Sequence, residues 1–257
     1  MKKSLVRFGI AAAVIAAFSC GALADTVRIS GSSTVFGDIA SPARATVEKS
    51  TGHTVQLASS NSGKGVVDLA DGAIDIAMIS EPVEMVGDAS EKAGKRVNTT
   101  SLQVFELKVD EIVFVVNPAN PVRKLTWEQL SDIHTGKVTN WKDVGGNDQP
   151  IVVYAGSITG ATPAMIKKNV MRGAEYSQTV KMESSVKRSA ESVGRDVGGI
   201  TGIGKGFIIA ARSRVLTSLR IIETKKLGRP LSMVTLGAPK PAVKAVIEAY
   251  TKAAKSL

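Results

Sequence analysis

The chain has 257 residues, with 33 Lys or Arg against 23 Asp or Glu, so its formal net charge at pH 7 is +10. Such a positive field favours encounter with anions, but aromatic residues are only 4% of the chain and the basic residues are scattered, which argues against a nucleic-acid partner. One cysteine and two histidines leave no group with the spacing of a zinc site, and we expect neither a metal nor another cofactor.

The first 24 residues predict a secretory signal peptide. Three basic residues precede an apolar run at residues 8–18, and a small-residue cleavage site ends at Ala24. The run is shorter than the roughly 20 residues that a spanning helix needs. We therefore expect cleavage after Ala24 and a periplasmic protein. The alternative is lipid attachment at Cys20, which the bulky Phe18 disfavours.

Beyond this segment, short apolar runs rich in β-branched residues alternate with stretches of helical period, a pattern typical of α/β folds. A closing amphipathic helix is predicted within residues 241–257. The glycine-rich segment 198–206 lacks the spacing of a dinucleotide fingerprint, and we interpret it as a crossover between lobes. The predicted strands are Val27–Ile29, Val55–Ala58, Ile74–Ile79, Glu111–Val116, Ile151–Tyr154, Ile200–Gly202 and Gly206–Ile209.

Three segments share one order of features: a strand, then a loop rich in Ser, Thr and Gly, then a helix. They lie at residues 29–34, 57–65 and 153–162. A helix N-terminus has unpaired main-chain N–H groups and the positive end of the helix dipole, which suits an anion. Ser and Thr at helix starts are also ordinary N-caps. All three loops contain more Ser, Thr and Gly than a cap requires, and this excess favours an anion site in addition to the caps.

An enzymatic site has little support in the sequence. A Ser-His-acid site needs a histidine beside a nucleophile, and both histidines, His53 and His134, stand next to Thr-Gly pairs at the ends of predicted elements. We interpret both as surface or capping residues. We therefore expect that the chain is not an enzyme.

Several motifs resemble the periplasmic phosphate-binding proteins of bacterial phosphate ABC transporters. The most specific stretch is residues 125–146, in which a Gly, a Thr-Asn-Trp and a Gly-Gly stand at separations that rarely coincide by chance. Further matching stretches are residues 31–36, 62–66 and 75–80. The resemblance covers nearly the whole mature chain.

The resemblance implies a type II periplasmic binding protein: two α/β lobes joined by two crossover strands, with the ligand cleft between them. One lobe would be discontinuous, formed by residues 25–106 and 211–257, and the other would be residues 107–210. The implied function is capture of inorganic phosphate or a similar oxyanion for the membrane permease of an ABC transporter. A closing cleft works without a second subunit, so we expect a monomer.

The resemblance also indicates which residues bind the ligand, with two departures from the family pattern. An arginine of the third loop is replaced by Ala155, which removes a strong charge-assisted contact. An aspartate after the third strand is replaced by Ser80, with Glu81 beside it. The residues expected to bind the ligand are Ser32, Ser33, Thr34, Ser62, Gly63, Ser80, Glu81, Thr159, Gly160, Ala161 and Thr162.

Two alternatives stay open at this point. The ligand is a sulfate-like oxyanion or a small carboxylate, or the chain is a secreted sensory or phosphoester-hydrolysing protein on the same fold. Phosphate keeps a proton near neutral pH and sulfate does not, so a proton acceptor would select phosphate; Glu81 is the predicted acceptor. Lys64, Lys205 and Arg188 are the candidates to compensate for the missing arginine.

Overall fold

A computed structural model describes residues 24–157, 160–210 and 219–257. Within these residues, eight strands form one sheet, flanked by helices. The strands are β1 (Thr26–Gly31), β2 (Thr54–Leu57), β3 (Ile76–Ile79), β4 (Leu102–Val116), β5 (Val152–Ala155), β6 (Lys181–Met182), β7 (Gly199–Gly204) and β8 (Arg220–Leu236). Their order across the sheet is β2-β1-β3-β8-β4-β7-β5-β6.

The helices follow the strands as in βα units. Helix α1 continues through a π-helical segment, Phe36–Ala40, directly into α2, and short 3₁₀ turns lie at Thr99–Ser101 and Trp141–Val144. The helices are α1 (Ser33–Val35), α2 (Ser41–Thr51), α3 (Ser62–Ala70), α4 (Val83–Lys92), α5 (Trp127–Thr135), α6 (Ala161–Asn169), α7 (Val186–Arg195), α8 (Lys205–Ala210) and α9 (Pro241–Ala254).

Local sequence accounts for where many of these helices begin and end. Helix α5 begins at a capping box, in which Thr126 and Gln129 each accept a hydrogen bond from the other's main-chain N–H. It ends at Gly136, whose φ of 80° is left-handed and therefore favours glycine. Helix α9 has Pro241 in its first turn, where the missing N–H costs no helical hydrogen bond.

Two long antiparallel strands, β4 and β8, run through the centre of the sheet. Their pairing extends from Leu102 opposite Leu236 to Val116 opposite Arg220. Strands β1, β2 and β3 lie on the β8 side, and β5, β6 and β7 lie on the β4 side. The two strands therefore connect the two halves of the molecule.

The buried apolar residues form separate clusters in these two halves. One cluster packs β1 against α2 and α9, with Tyr250 fully buried, and another packs around Trp141 and Phe114. Ile222 and Leu227, from the first part of β8, pack in the second cluster. The lobe boundaries at 106/107 and 210/211 stay predictions. Because Ile222 and Leu227 pack in the second cluster, we propose that strand β8 passes from the second lobe back to the first near Gly228.

Five of the predicted strands are confirmed within two residues. The predicted strand Glu111–Val116 is the last part of β4, which begins nine residues earlier at Leu102, and the closing helix is confirmed but ends at Ala254. The strand predicted at Gly206–Ile209 is wrong, because these residues lie in α8. Such a short apolar run does not distinguish a strand from a helix by its period. The crossover assigned to residues 198–206 is also wrong: β7 is buried in the sheet between β4 and β5.

The prediction for His134 is wrong as well. This residue is 1% exposed and lies between the rings of Phe114 and Tyr176, with Nδ1 2.7 Å from the Leu130 carbonyl oxygen. Burial lowers the pKa of His134 to about 4, so the imidazole is neutral in the fold. It is a core residue, and nothing about its Thr-Gly neighbours in the sequence revealed this.

The predicted signal peptide lies outside the described residues, apart from Ala24. Over the residues that are described, no helix has the length and apolar character needed to cross a bilayer.

Candidate functional site

A polar cavity of about 250 Å³ lies where helices from both halves of the molecule begin. Helices α1 and α3 come from the first half, and α6 and α7 come from the second. Among the residues that the structure describes, none that lines this cavity has a charged side chain. The lining residues are Ser32, Ser33, Thr34, Ser59, Ser60, Asn61, Ser62, Ser80, Ser157, Gly160, Ala161, Thr162, Ser184, Ser185 and Val186.

Glycines allow the first two helices to approach the sheet at this point. Gly31, at the end of β1, has a φ of 133°, and a Cβ there would collide with the main chain of Met78. A Cβ on Gly65 of α3 would lie 2.7 Å from the Cα of Gly31. The start of α3 therefore packs directly on the end of β1, which brings Ser32 and Ser62 to the same wall.

The helix starts present main-chain donors to the cavity. The side chains of Ser32, Asn61 and Ser185 cap α1, α3 and α7 by accepting one N–H each. An α-helix has about four unpaired N–H groups at its start, so one cap leaves others for a ligand. At α6 the cap position is Gly160, which has no side chain to accept an N–H. Partial positive charge therefore converges on the cavity from several directions.

Glu81 lies directly behind the cavity wall. It is 2% exposed, and its Oε2 accepts hydrogen bonds from the Ser62 hydroxyl at 2.6 Å and from the Ser80 N–H at 2.9 Å. Burial raises the pKa of the Glu81 carboxyl, while these hydrogen bonds and the positive charge of Arg229 oppose that rise. Because Ser62 donates its one proton to Glu81, its oxygen is left to act as an acceptor toward the cavity.

The Ser80 hydroxyl has the opposite hydrogen-bond role to that of Ser62. The Ser32 hydroxyl donates to the Ser80 hydroxyl oxygen at 2.8 Å, so the Ser80 proton is available to another acceptor. The first half of the site therefore combines a hydroxyl donor, Ser80, with a hydroxyl acceptor, Ser62.

A buried ion pair stands behind the opposite wall. Arg229 of β8 is paired across the strands with Asp110 of β4, with Nη2 and Nε 2.8 and 3.1 Å from Oδ2. The remaining Nη1 of Arg229 donates to Thr162 Oγ1 at 2.7 Å. Thr162 lies in the first turn of α6 and lines the cavity. The sequence analysis missed this pair, since nothing local distinguishes Arg229 from a surface charge.

Most of the residues predicted to bind a ligand lie together. Gly63 and Glu81 stand behind the wall, and the side-chain position of Gly63 faces the main chain of Ala89 in α4. Thr159 lies outside the described residues. The predicted residues that line the cavity are Ser32, Ser33, Thr34, Ser62, Ser80, Gly160, Ala161 and Thr162.

The three basic residues considered as substitutes for the missing arginine do not line the cavity. Lys64 pairs with Asp68 along α3, and Lys205 pairs with Glu111 at 3.0 Å. The main-chain N–H of Arg188 donates to Ser185 Oγ at 3.2 Å.

Ser184 and Ser185, before α7, are lining residues that the sequence analysis missed. They follow the same pattern of hydroxyl residues at a helix start. The strand before them, β6, has only two residues and no apolar run, so the strand-loop-helix pattern was not recognisable there.

A larger cleft of about 750 Å³ lies beside the cavity, between α4 and α6. Both sides have charged residues of both signs: Glu84, Asp88 and Lys92 on α4, and Lys167 and Lys168 on α6 with Glu175 beside them. Four helix starts and a set of ordered hydroxyls converge on the smaller cavity, which makes it the candidate ligand site.

Comparison with known proteins identifies the family of the chain. A family model described as a PBP superfamily domain matches residues 19–255. The chain is 28% identical over 160 residues to the phosphate-binding protein PstS of Bacillus subtilis (strain 168), which covers 62% of this chain and 51% of that protein. The match thus spans about half the length of that relative.

Solved structures show the same fold. A putative phosphate ABC transporter substrate-binding protein with bound phosphate, from Clostridium perfringens, has a TM-score of 0.73 and 24% identity, over 87% of this chain and 92% of that one. An ABC-type phosphate transport receptor from Vibrio cholerae has a TM-score of 0.66 and 24% identity, over 90% and 95%. The predicted fold class, two α/β lobes joined by two crossover strands, is confirmed.

Proposed function

Because the chain belongs to the PBP superfamily, we propose that it is a binding protein that captures inorganic phosphate between its lobes and delivers it to an ABC transporter. The observation that carries the proposal is the convergence of four helix starts on one small cavity lined by hydroxyl groups. The names of the relatives agree with phosphate as the ligand.

The electrostatics of the cavity suit a small oxyanion. Each helix start is equivalent to roughly half a positive charge, so four of them offset about two negative charges, as on a phosphate dianion. Main-chain N–H groups and hydroxyls supply hydrogen bonds of fixed direction. A site of this kind needs no metal and no charged side chain in contact with the ligand.

The opposed hydroxyl polarities favour phosphate over sulfate. Ser80 is oriented to donate to an anion, whereas Ser62 is held as an acceptor by Glu81. Hydrogen phosphate has a proton to donate to Ser62, and sulfate has none. We therefore propose that Glu81 acts as the acceptor through Ser62, and that it does not contact the ligand itself.

The same proposal includes how the protein is used. The relatives found are binding proteins and not enzymes. We propose that the mature chain, starting at Asp25, is periplasmic and monomeric, and that it releases its ligand unchanged to the permease. The predicted signal peptide supports this location.

The decisive experiment is calorimetric titration of the exported protein, unfolded and refolded to remove ligand acquired in the host. We expect one-to-one binding of phosphate, with much weaker binding of sulfate, molybdate and citrate. Tight binding of another anion without phosphate binding would keep the fold and overturn the ligand. Turnover of a phosphoester such as p-nitrophenyl phosphate would overturn the role as a binding protein.

A further inference from the structure

We propose that Arg229 is a positioning residue that orients Thr162 and gives the cavity its positive potential from behind the wall. In the sequence, Ala155 stands where the resemblance places an arginine in contact with the ligand. Arg229 would supply a positive charge near the ligand without touching it. The inference rests on the proposed capture of phosphate in the cavity.

The direction of the ion pair is the first argument. Asp110 takes the Nε and Nη2 side of the guanidinium, and Nη1 is directed to Thr162 in the cavity wall. The carboxylate therefore lies on the side away from Thr162, and the positive end of the pair faces the ligand. An oriented pair of this kind attracts an anion although its net charge is zero.

Hydrogen-bond polarity is the second argument. A guanidinium has only donors, so Thr162 Oγ1 must accept from Arg229 and keep its own proton for another partner. Thr162 is 4% exposed and lines the cavity. Arg229 thereby fixes Thr162 as a donor to the anion, in the way that Glu81 fixes Ser62 as an acceptor.

Burial is the third argument. The side chains of Arg229 and Asp110 are 1% and 5% exposed, where water screens their charges least. Fold stability does not account for such a pair, because apolar replacements of buried ion pairs are often neutral or stabilising. The charge of Arg229 also reaches the other wall, where it opposes the rise in the pKa of Glu81.

The test compares two substitutions that break the same ion pair. Arg229→Gln removes the positive end, and we expect it to weaken phosphate binding about 10- to 100-fold, as for loss of a charge-assisted hydrogen bond. Asp110→Asn removes the negative end and leaves Arg229 in place, so we expect phosphate affinity that is equal to or higher than that of the unmodified protein. A purely structural pair would lose affinity in both variants.

A double-mutant cycle checks the route through Thr162. Thr162→Val and Arg229→Gln should each weaken binding, and the double variant should be little weaker than Arg229→Gln alone, since both remove one interaction. Additive losses would contradict the positioning role. Arg229→Lys keeps the charge in a different geometry, and we expect it to recover part of the affinity if Arg229→Gln folds poorly.

The outcomes separate this inference from the proposed function. Absence of phosphate binding by the unmodified protein would overturn both. Binding by the unmodified protein, together with losses of the same sign and size in Arg229→Gln and Asp110→Asn, would overturn only the role of Arg229. Ligand-induced shifts in the unfolding temperature give the same comparison for variants of low stability.

Discussion

We propose that the Glu81 carboxylate influences ligand specificity without touching the ligand, through its 2.6 Å hydrogen bond with Ser62. Glu81→Gln keeps the shape, and its amide oxygen can still accept from Ser62 and from the Ser80 N–H. A neutral amide is a weaker acceptor than a carboxylate, so Gln holds Ser62 less firmly as an acceptor toward the cavity. We expect phosphate affinity to fall about tenfold, the value of one net hydrogen bond, and sulfate affinity to change less.

Calorimetry with both anions at pH 7.5 measures this difference. Glu84→Gln is the matched control, because Glu84 is an exposed residue of the neighbouring cleft and does not line the cavity. Equal losses for phosphate and sulfate in Glu81→Gln would contradict the role of Glu81.

Ionisation of Asp38 should have a measurable effect on the stability of the fold. Burial and the negative charge of Asp110 raise its pKa from 3.8 to about 6, against the opposing charges of Arg229 and Lys108. The folded state therefore holds a proton that the unfolded state releases, and this contribution to stability is present below pH 4 and lost as the pH rises through 6. Asp38→Asn has no carboxyl group to ionise, so this variant does not lose that stability as the pH rises.

We expect the free energy of unfolding of Asp38→Asn to exceed that of the unmodified protein by about 1 to 3 kcal/mol at pH 8. The two proteins should differ much less near pH 4. Denaturant unfolding at both pH values measures the effect. An increment that is the same at both pH values would show that the raised pKa is not its cause.

Among the helices, the position of α3 depends on close contacts that only glycine permits. A Cβ on Gly63 would collide with the main-chain carbonyl of Ala89 in α4. Gly63→Ala should therefore displace the start of α3, lower the free energy of unfolding by about 1 to 3 kcal/mol and weaken phosphate binding.

Gly37→Ala is the control, since a Cβ on this residue of the π-helical segment meets nothing within 4 Å. It should be neutral or stabilise the protein by up to about 1 kcal/mol. Thermal unfolding with and without phosphate distinguishes the two variants. Equal stability of Gly63→Ala and Gly37→Ala would contradict the role of Gly63 in positioning α3.

At the scale of the whole molecule, the charged cleft between α4 and α6 is suited to closing. The cleft has a volume of about 750 Å³ and lies between helices of the two halves, and β4 and β8 are the connections about which the halves can bend. We expect phosphate to shorten the distance between spin labels on cysteines introduced at Asp88 and Lys168. Pulsed electron paramagnetic resonance measures this distance.

Labels at Lys49 and Lys244 provide the control, because α2 and α9 pack together within one half of the molecule. Their distance should stay constant. A cleft distance that phosphate leaves unchanged would mean that the ligand binds without closure of the lobes.

Features that depend on neighbouring residues were predictable from the sequence. Caps, left-handed glycines and short apolar runs act within a few positions, so the parallel strands, the closing helix and the hydroxyl-rich helix starts were predictable. The resemblance to a known family, together with this local pattern, indicated eight residues that line the cavity. The local pattern identified only the end of β4, Glu111–Val116, and missed the rest of β4 and all of β8, because charged residues and Pro230 interrupt their apolar pattern.

The arrangement of the charged groups behind the cavity wall depends on contacts between residues that are far apart in the sequence. Glu81 reaches Ser62 across 19 positions, and Arg229 reaches Asp110 and Thr162 across 119 and 67. No periodicity or motif encodes such distances along the chain. Whether a charged residue is solvated or is buried and directed at a ligand depends on the packing of distant strands, and that packing exists only once the two halves have folded around β4 and β8.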